Sequence, residues 1–208
     1  ASERIEKICR LAPVIPVLVV QNPETARPLA EALISGGLPV LEITLRTKSA
    51  LQVISEMAKV PGAVVGAGTI TKSNDIKDAI NAGASFAVSP GVTDTILEES
   101  ERHNLAIMPG AATPSEIMRL FEFGYSVQKF FPAEANGGRA ALKAIAGPLP
   151  NVKFCPTGGI NCDNAKGYLE LENTLCVGGS WVATQKLIEN KDWRTIHDLA
   201  KKASRLVS

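Results

Sequence analysis

Short apolar segments alternate with amphipathic segments along most of the chain. Eight strand-like segments occupy residues 14–18, 39–44, 63–67, 85–89, 106–109, 127–131, 152–156 and 174–177. Clusters of small, polar or proline residues follow them, and helical patterns come next, for example over 50–59, 75–82, 114–123 and 164–171. The strand ends recur about every twenty residues, a spacing that indicates repeated βα units.

Additional helices are predicted near both ends of the chain. Residues 2–10 read as a short helix before the first strand, and residues 192–207 as a last amphipathic helix. A further helical pattern begins at Pro23 and ends at Gly36 and Gly37, which matches the preference of helices for proline at the start and glycine at the end.

Eight strands alternating with helices favour an α/β fold of the (β/α)₈ TIM barrel type, with the extra N-terminal helix in front of it. The length of 208 residues lies at the short end for that fold. An open doubly wound sheet is the alternative, because alternation does not establish closure. No linker or low-complexity tract divides the sequence, so we expect a single domain over residues 1–208.

The charge balance gives no indication of a partner that is bound by the net charge of the protein. The 22 basic and 21 acidic residues give a net charge of +1, so nothing indicates nucleic acid or a membrane surface, and an anionic ligand must be bound locally. No apolar run approaches the roughly 20 residues of a membrane span. Residues 1–11 lack the form of a signal peptide, and we expect a soluble cytoplasmic protein.

The cysteines and histidines offer little for metal or nucleophilic chemistry. None of Cys9, Cys155, Cys162 and Cys176 forms a Cys-x-x-Cys pair, so we expect reduced, mostly buried thiols and no metal. Only two histidines are present, and both lie in helix-like segments. A Ser-His-Asp mechanism or a histidine-rich zinc site is therefore not expected.

The sixth predicted strand carries a single lysine, Lys129, and stops at Pro132. Lysine is seldom buried without a reason, and a buried amine that loses its proton can attack a carbonyl to form a Schiff base. Alternatively, Lys129 reaches solvent from an edge strand or pairs with a carboxylate. Lys153 stands three residues before Pro156, just as Lys129 stands three before Pro132, so spacing alone does not choose between the two lysines.

The second predicted strand separates apolar and polar side chains onto two faces. Period-two alternation places Leu41, Ile43 and Leu45 on one face and Glu42, Thr44 and Arg46 on the other. An inward carboxylate and guanidinium suggest proton transfer and the binding of a substrate carboxylate. An internal ion pair that stabilises the barrel is the alternative.

Glycine-rich segments follow the last two predicted strands, at 157–159 and 178–180. Barrels often bind phosphate there, because glycine allows backbone N–H groups to approach an anion. With Lys129, Glu42 and Arg46, such a site describes a Schiff-base aldolase. A phosphosugar isomerase or epimerase, or a non-catalytic phosphate-binding barrel, would use the same loops without a covalent lysine.

Four motifs resemble those of a known family. LEITLRT (41–47), VGAGT (65–69), KFFPAE (129–134) and FCPTGGI (154–160) are similar, in order, to the motifs of the 2-keto-3-deoxy-6-phosphogluconate (KDPG) and 4-hydroxy-2-oxoglutarate (KHG) aldolases. The resemblance implies a (β/α)₈ homotrimer without metal or cofactor. It also implies a class I aldolase of the Entner-Doudoroff pathway that cleaves KDPG to pyruvate and glyceraldehyde 3-phosphate, with activity on KHG.

The same resemblance assigns roles to individual residues. It makes Lys129 the Schiff-base lysine and Glu42 the general acid and base, and it assigns no such role to Lys153. Residues 110–113 differ modestly from the family pattern. The implied binding residues are Arg46 and Thr69 for the pyruvate carboxylate, Pro90 and Phe131 for the shape of that pocket, Thr157 for stereochemical control, and Gly158, Gly159 and Ser180 for the phosphate.

Overall fold

A computed structural model describes residues 2–206. The strands are β1 Val14–Leu18, β2 Val40–Thr44, β3 Val64–Gly68, β4 Phe86–Val88, β5 Ala106–Met108, β6 Gly110–Ala111, β7 Val127–Phe130, β8 Lys153–Pro156 and β9 Val177–Gly179. The helices are α1 Ser2–Cys9, α2 Ala26–Ser35, α3 Ala50–Met57, α4 Ser73–Ala82, α5 Asp94–Arg102, α6 Pro114–Glu122, α7 Gly138–Ala146, α8 Ala165–Leu169, α9 Gln185–Glu189 and α10 Trp193–Ala203. Short 3₁₀ helices occur at Pro23–Thr25, Glu134–Asn136 and Trp181–Ala183.

The predicted alternation of strands and helices is confirmed, with differences at two strands. The predicted fifth strand is followed, after Pro109, by a separate short strand, because proline has no N–H to donate to a ladder. The predicted eighth strand begins three residues late: Gly178 and Gly179 pair with β1, while Thr174 forms only an isolated bridge to Phe154. Of the last predicted helix, residue 207 lies outside the described residues.

All the strand pairs are parallel, and the strands form a curled sheet within an α/β fold. One group has the order β5-β4-β3-β2-β1-β9 and the other the order β6-β7-β8. Two isolated bridges, Phe154 to Thr174 and Thr157 to Gly178, connect β8 to the segment that contains β9. On the other side, only Pro109 separates β5 from β6.

The apolar residues divide into two clusters on opposite faces of the sheet. Leu41 and Ile43 belong to the larger cluster, which packs the strands against the helices. The smaller cluster lies on the inner face and contains Ile15, Phe86 and Met108 among others. The predicted division of the second strand into an outward apolar face and an inward polar face is therefore confirmed.

Helix α1 packs against the inner cluster from the side where the strands begin. Its buried residues Ile5 and Cys9 join that cluster, and the Ser2 hydroxyl accepts a hydrogen bond from the N–H of Ser126, which immediately precedes β7. Cys9, Cys155 and Cys176 are buried free thiols, as predicted, whereas Cys162 is exposed. Hydrogen bonds to Cys155 and Cys9, together with burial, raise the pKa of the Cys176 thiol well above its ordinary value.

None of the helices within residues 2–206 is both long and apolar enough to cross a membrane.

Candidate active site

Lys129 and Glu42 meet inside the curled sheet. Lys129 is the third residue of β7 and Glu42 the third of β2, and both side chains point to the inner face. The Lys129 Nζ lies 3.2 Å from the Glu42 Oε1, and the two side chains are only 6% and 2% exposed. Lys129 therefore does not reach solvent from an edge strand, and it pairs with a carboxylate, as one of the alternatives to a Schiff-base role allowed. Because desolvating two charges is costly, a buried ion pair is weak evidence for stability and draws attention to chemistry instead.

A glycine in the neighbouring strand makes room for the Glu42 carboxylate. Gly68 is the last residue of β3, and a Cβ atom there would lie 2.6 Å from the Glu42 Cγ and 2.9 Å from its Cδ. Such distances are too short for any larger residue to be accommodated without displacing Glu42. The VGAGT motif therefore contributes to the site through Gly68, whose lack of a side chain leaves space for Glu42.

Phe131 and Lys153 show why the site forms around Lys129. The Lys129 Nζ lies 5.3 Å from the centroid of the Phe131 ring, within the range of a cation–π contact. Lys153 begins β8, at the end of the sheet opposite the glycine-rich loops, and its Nζ donates to the Glu172 carbonyl at 3.1 Å. Of the two lysines that spacing could not separate, only Lys129 has Glu42 beside it.

Arg46 and Thr69 lie together at the ends of β2 and β3. The Arg46 Nε donates a hydrogen bond to the Thr69 Oγ1 at 3.3 Å, and Arg46 remains exposed. Thr69 has a φ of 63°, a left-handed conformation that is a genuine outlier for a β-branched residue. Strained residues of this kind concentrate at functional sites.

A cavity of about 270 Å³ opens beside these residues. It brings together six of the residues predicted for the site, namely Arg46, Phe131, Thr157, Gly158, Gly159 and Ser180. Gly178 and Gly179, which belong to the glycine-rich segment predicted to bind phosphate, also line it. The remaining lining residues, Val17, Val19 and Ile160, were not predicted for the site. Val17 and Val19 could have been found from the alternation of the first strand. A larger groove, of about 790 Å³ and lined by residues including Arg139 and Lys143, contains none of the predicted residues.

The other predicted residues lie next to this cavity rather than in its lining. Lys129 and Glu42 are buried beneath it, and Thr69 contacts Arg46. The Pro90 carbonyl packs against Gly110, the residue that pairs with Lys129 across the sheet. Pro90 is therefore close to the lysine through the backbone, although it is not a lining residue.

The two glycines after Thr157 adopt backbone conformations that other residues avoid. Gly158 has a φ of 102° and Gly159 a φ of 80°. The Gly158 carbonyl accepts from the Glu134 N–H at 3.1 Å, and the Gly159 carbonyl accepts from the Asn164 Nδ2 at 3.0 Å. Successive N–H groups in such a turn form a concave surface that suits an anion.

Thr157 lies between the two parts of the site. It follows β8, is buried, and donates from its Oγ1 to the Cys155 carbonyl at 3.3 Å. Its side chain packs against Gly178, where a Cβ atom would lie 3.0 Å from the Thr157 Cγ2. No cluster of three or more histidine, cysteine, aspartate or glutamate residues within 2–206 could hold a metal ion.

Comparison with known proteins agrees with this geometry. The family model "KDPG and KHG aldolase" matches residues 5–199. A 2-dehydro-3-deoxy-phosphogluconate aldolase of Pseudoalteromonas atlantica is 50% identical over 192 residues, which cover 92% of this chain and 89% of the relative.

Two crystal structures are also similar. A KDPG aldolase of Legionella pneumophila, with pyruvate captured as a covalent carbinolamine intermediate, has 44% identity, a TM-score of 0.93 and coverage of 96% of this chain and 97% of its own. The KDPG aldolase of Zymomonas mobilis ZM4 with 3-phosphoglycerate has 46% identity, a TM-score of 0.93 and coverage of 99% and 97%. The chain therefore belongs to the KDPG and KHG aldolase family.

Proposed function

We propose that this protein is a class I aldolase, a lyase that cleaves KDPG into pyruvate and glyceraldehyde 3-phosphate through a Schiff base on Lys129. The observation that carries the proposal is the buried pair of Lys129 and Glu42, 3.2 Å apart and adjacent to a cavity lined by Arg46 and several glycines. The carbinolamine in the Legionella relative is the first covalent species that such a mechanism requires. The KHG aldolases in the same family support KHG as a second substrate.

The first half of the reaction forms the Schiff base. The Lys129 ammonium transfers a proton to Glu42, and the neutral amine attacks the C2 carbonyl of the substrate. The new N–C2 bond gives a carbinolamine. Glu42 then returns a proton to the departing hydroxyl, water leaves, and a protonated imine remains. The distance of 3.2 Å between the Lys129 Nζ and the Glu42 Oε1 permits direct proton transfer.

The second half breaks the carbon chain. Glu42 takes the proton of the C4 hydroxyl, the C3–C4 bond breaks, and its electron pair passes into the protonated imine to form an enamine. Glyceraldehyde 3-phosphate leaves as the aldehyde product. Protonation of the enamine at C3 and hydrolysis of the resulting imine release pyruvate and regenerate Lys129. Proton transfer by a positioned side chain contributes about 10²–10⁴-fold to the rate of such a step.

Arg46 and Thr69 are proposed to hold the carboxylate next to C2. A guanidinium can bind a carboxylate with two parallel hydrogen bonds, and the contact with Thr69 fixes the Arg46 side chain at 3.3 Å. Phe131 forms one wall of the cavity, and Pro90 shapes the backbone near Gly110. These four residues would set the distance between C2 and Lys129.

The opposite side of the cavity is proposed to bind the phosphate. The loop that contains Gly158 and Gly159 can offer backbone N–H groups and Ser180 its hydroxyl, while Thr157 lies between them and Lys129 along the strands. Thr157 would thus face the C4 hydroxyl, where the two epimers of the substrate differ. The 3-phosphoglycerate in the Zymomonas relative supports a site for phosphorylated acids.

We also infer that the two groups of strands close into one (β/α)₈ barrel and form a single domain. The strand order follows the chain order with β9 beside β1, whereas a doubly wound sheet reverses its order at a switch point. The bridges between β8 and the β9 segment support closure on one side. On the other, the N–H of Lys129 in β7 donates to the Pro109 carbonyl at 2.9 Å, which extends the pairing of β6 with β7 to the residue that joins β6 to β5.

A homotrimer is proposed from the family resemblance and from the outer face of α6. Met118, Phe121 and Phe123 are 51%, 40% and 57% exposed there, and an exposed apolar patch of this kind is typical of an interface between proteins. Sedimentation equilibrium should give three times the mass of the chain, and Phe121→Glu should give the mass of one. A wild-type protein that sediments as a monomer would exclude the trimer. A cytoplasmic location stays a prediction.

Trapping with borohydride tests the proposed function. Incubation of the protein with pyruvate and borohydride should add one reduced pyruvate, and peptide mapping should place it on Lys129. The residues alone leave a phosphosugar isomerase as the alternative, and the mechanism of such an enzyme includes no covalent bond between a lysine and pyruvate. The absence of an adduct on the folded protein would therefore exclude the aldolase.

A further inference from the structure

The short helix α8 approaches the Gly158–Gly159 loop with two side chains that lie one helical turn apart. Asn164 immediately precedes the helix, and its Nδ2 donates to the Gly159 carbonyl at 3.0 Å. Tyr168 lies four residues further along, and its hydroxyl donates to the Glu134 Oε1. Neither Asn164 nor Tyr168 is among the described residues that line the cavity.

The orientation of the Asn164 amide is fixed by a second asparagine. The Asn161 N–H donates to the Asn164 Oδ1 at 2.9 Å, so this oxygen is occupied as an acceptor and the Nδ2 must face the Gly159 carbonyl. In return, the Asn161 Oδ1 accepts from the N–H groups of Asp163 and Asn164 at 2.9 and 3.3 Å. The two asparagines therefore hold each other in place.

Tyr168 acts on the loop through Glu134. The Glu134 N–H donates to the Gly158 carbonyl at 3.1 Å. Its side chain packs against Gly159 so closely that a Cβ atom there would lie 2.6 Å from the Glu134 Cγ. Tyr168 is fully buried, and burial together with the hydrogen bond to Glu134 raises the pKa of its phenol, so the hydroxyl remains a donor. The position of the Glu134 side chain against Gly159 thus depends on Tyr168.

These contacts occupy both carbonyls of the loop on its outer side. Each carbonyl shares its peptide group with the N–H of the next residue, so these contacts direct the N–H groups of Gly159 and Ile160 away from Glu134 and Asn164. Both Gly159 and Ile160 line the cavity. The Gly158 N–H belongs to the preceding peptide group and faces Gly178, which forms a bridge with Thr157. If Asn164 or Tyr168 is lost, the loop can turn, and its N–H groups no longer converge on an anion.

We propose that Asn164 and Tyr168 are positioning residues that set the preference of this enzyme for phosphorylated substrates, by holding the Gly158–Gly159 loop so that the N–H groups of Gly159 and Ile160 face the phosphate. The inference rests on the proposed function, since it concerns the substrate of the same site. Neither residue touches the reacting carbon atoms.

The test compares KDPG with the same keto acid lacking its phosphate. In Asn164→Ala and Tyr168→Phe, KM for KDPG and the inhibition constant of inorganic phosphate should each rise about tenfold to a hundredfold, the effect of losing a hydrogen bond to a charged group. The KM for the unphosphorylated acid and kcat for both should stay at wild-type values. An equal loss of activity on both substrates would overturn the proposal, because it would show a general loss of structure.

Two further variants separate positioning from other effects. Tyr125→Phe is the matched control: Tyr125 is also buried, and its hydroxyl donates to the Glu101 Oε1 at 3.2 Å, away from the cavity. In Tyr125→Phe, the ratio of the KM for KDPG to the KM for the unphosphorylated acid should not change. A change in this ratio equal to that of Tyr168→Phe would overturn the proposal. Asn164→Asp keeps the acceptor for the Asn161 N–H but loses the donor. A raised KM for KDPG in Asn164→Asp alone, with Asn164→Ala normal, would indicate charge repulsion and also overturn it.

Pyruvate trapping distinguishes the failure of this inference from the failure of the proposed function. If wild-type protein forms no adduct, the aldolase assignment fails. If Asn164→Ala and Tyr168→Phe form the adduct but the ratio of the KM for KDPG to the KM for the unphosphorylated acid stays at its wild-type value, only the positioning role fails. Asn164 is half-buried, so Asn164→Ala keeps the test available even if Tyr168→Phe does not fold.

Discussion

Replacing Lys129 with methionine is expected to abolish the pyruvate adduct and to lower kcat on KDPG by at least about 10⁴-fold, on the scale seen when a nucleophile is removed from an enzyme. Methionine has a similar length but no amine, so no N–C2 bond can form. Intact-mass measurement after borohydride reduction should show the unmodified mass, and a coupled assay for pyruvate release should show only background turnover.

Lys153→Met is the control for Lys129→Met, because it removes the other lysine that lies three residues before a proline. The native Lys153 side chain contacts the Glu172 carbonyl, so the pyruvate adduct and turnover on KDPG should both remain in Lys153→Met. An adduct that survives in Lys129→Met would contradict the assignment. Since Lys129→Met leaves Glu42 buried without a partner, it should cost roughly 3–5 kcal/mol of folding free energy. The double variant Lys129→Met with Glu42→Gln should recover much of that stability and remain inactive.

Glu42→Gln is expected to lower kcat by about 10²–10⁴-fold while imine formation with pyruvate continues at a reduced rate. The amide preserves the size of the side chain but cannot take the proton of the C4 hydroxyl. Single-turnover experiments should therefore show that KDPG is captured by Lys129 and cleaved slowly. Rapid mixing with quenching by borohydride would measure both steps.

A Glu42→Gln variant with the kcat of the wild-type protein would contradict the role of Glu42 as general acid and base. Glu99→Gln provides the matched control, since Glu99 is another buried carboxylate and is paired with Lys77, Arg102 and His103. That variant should lower thermal stability without changing kcat. A similar fall in kcat for both variants would mean that loss of any buried carboxylate impairs the enzyme.

The core of the site could be predicted because it depends on alternation along single strands. Glu42 and Lys129 each follow the period of two, so their inward direction can be deduced without knowing what lies opposite. Their contact at 3.2 Å could not be deduced, because it depends on how β2 and β7 face each other across the sheet. Spacing left the choice between Lys129 and Lys153 open for the same reason, since both stand three residues before a proline.

The differences between predicted and observed strands also have a physical cause. Gly178 and Gly179 have low strand propensity and were assigned to a loop, but pairing with Ile15 and Pro16 of β1 places them in β9. Long-range pairing overrides local preference there. The roles proposed for Asn164 and Tyr168 were likewise not predicted. The Asn164 contact depends on the turn of the chain back to Gly159, and Tyr168 acts through Glu134, which is distant in sequence.

Helix α1 covers the inner face of the sheet at the end where the strands begin. Ile5 and Cys9 pack against the inner apolar cluster there, whereas the cavity lies beside the glycine-rich loops. Lys129 is 4% exposed, whereas Ser180 lies at the surface. With the proposed Schiff base on Lys129, pyruvate would be held at the buried end of the site and the aldehyde nearer solvent. We therefore expect the aldehyde to depart first and, in the reverse direction, pyruvate to enter before it.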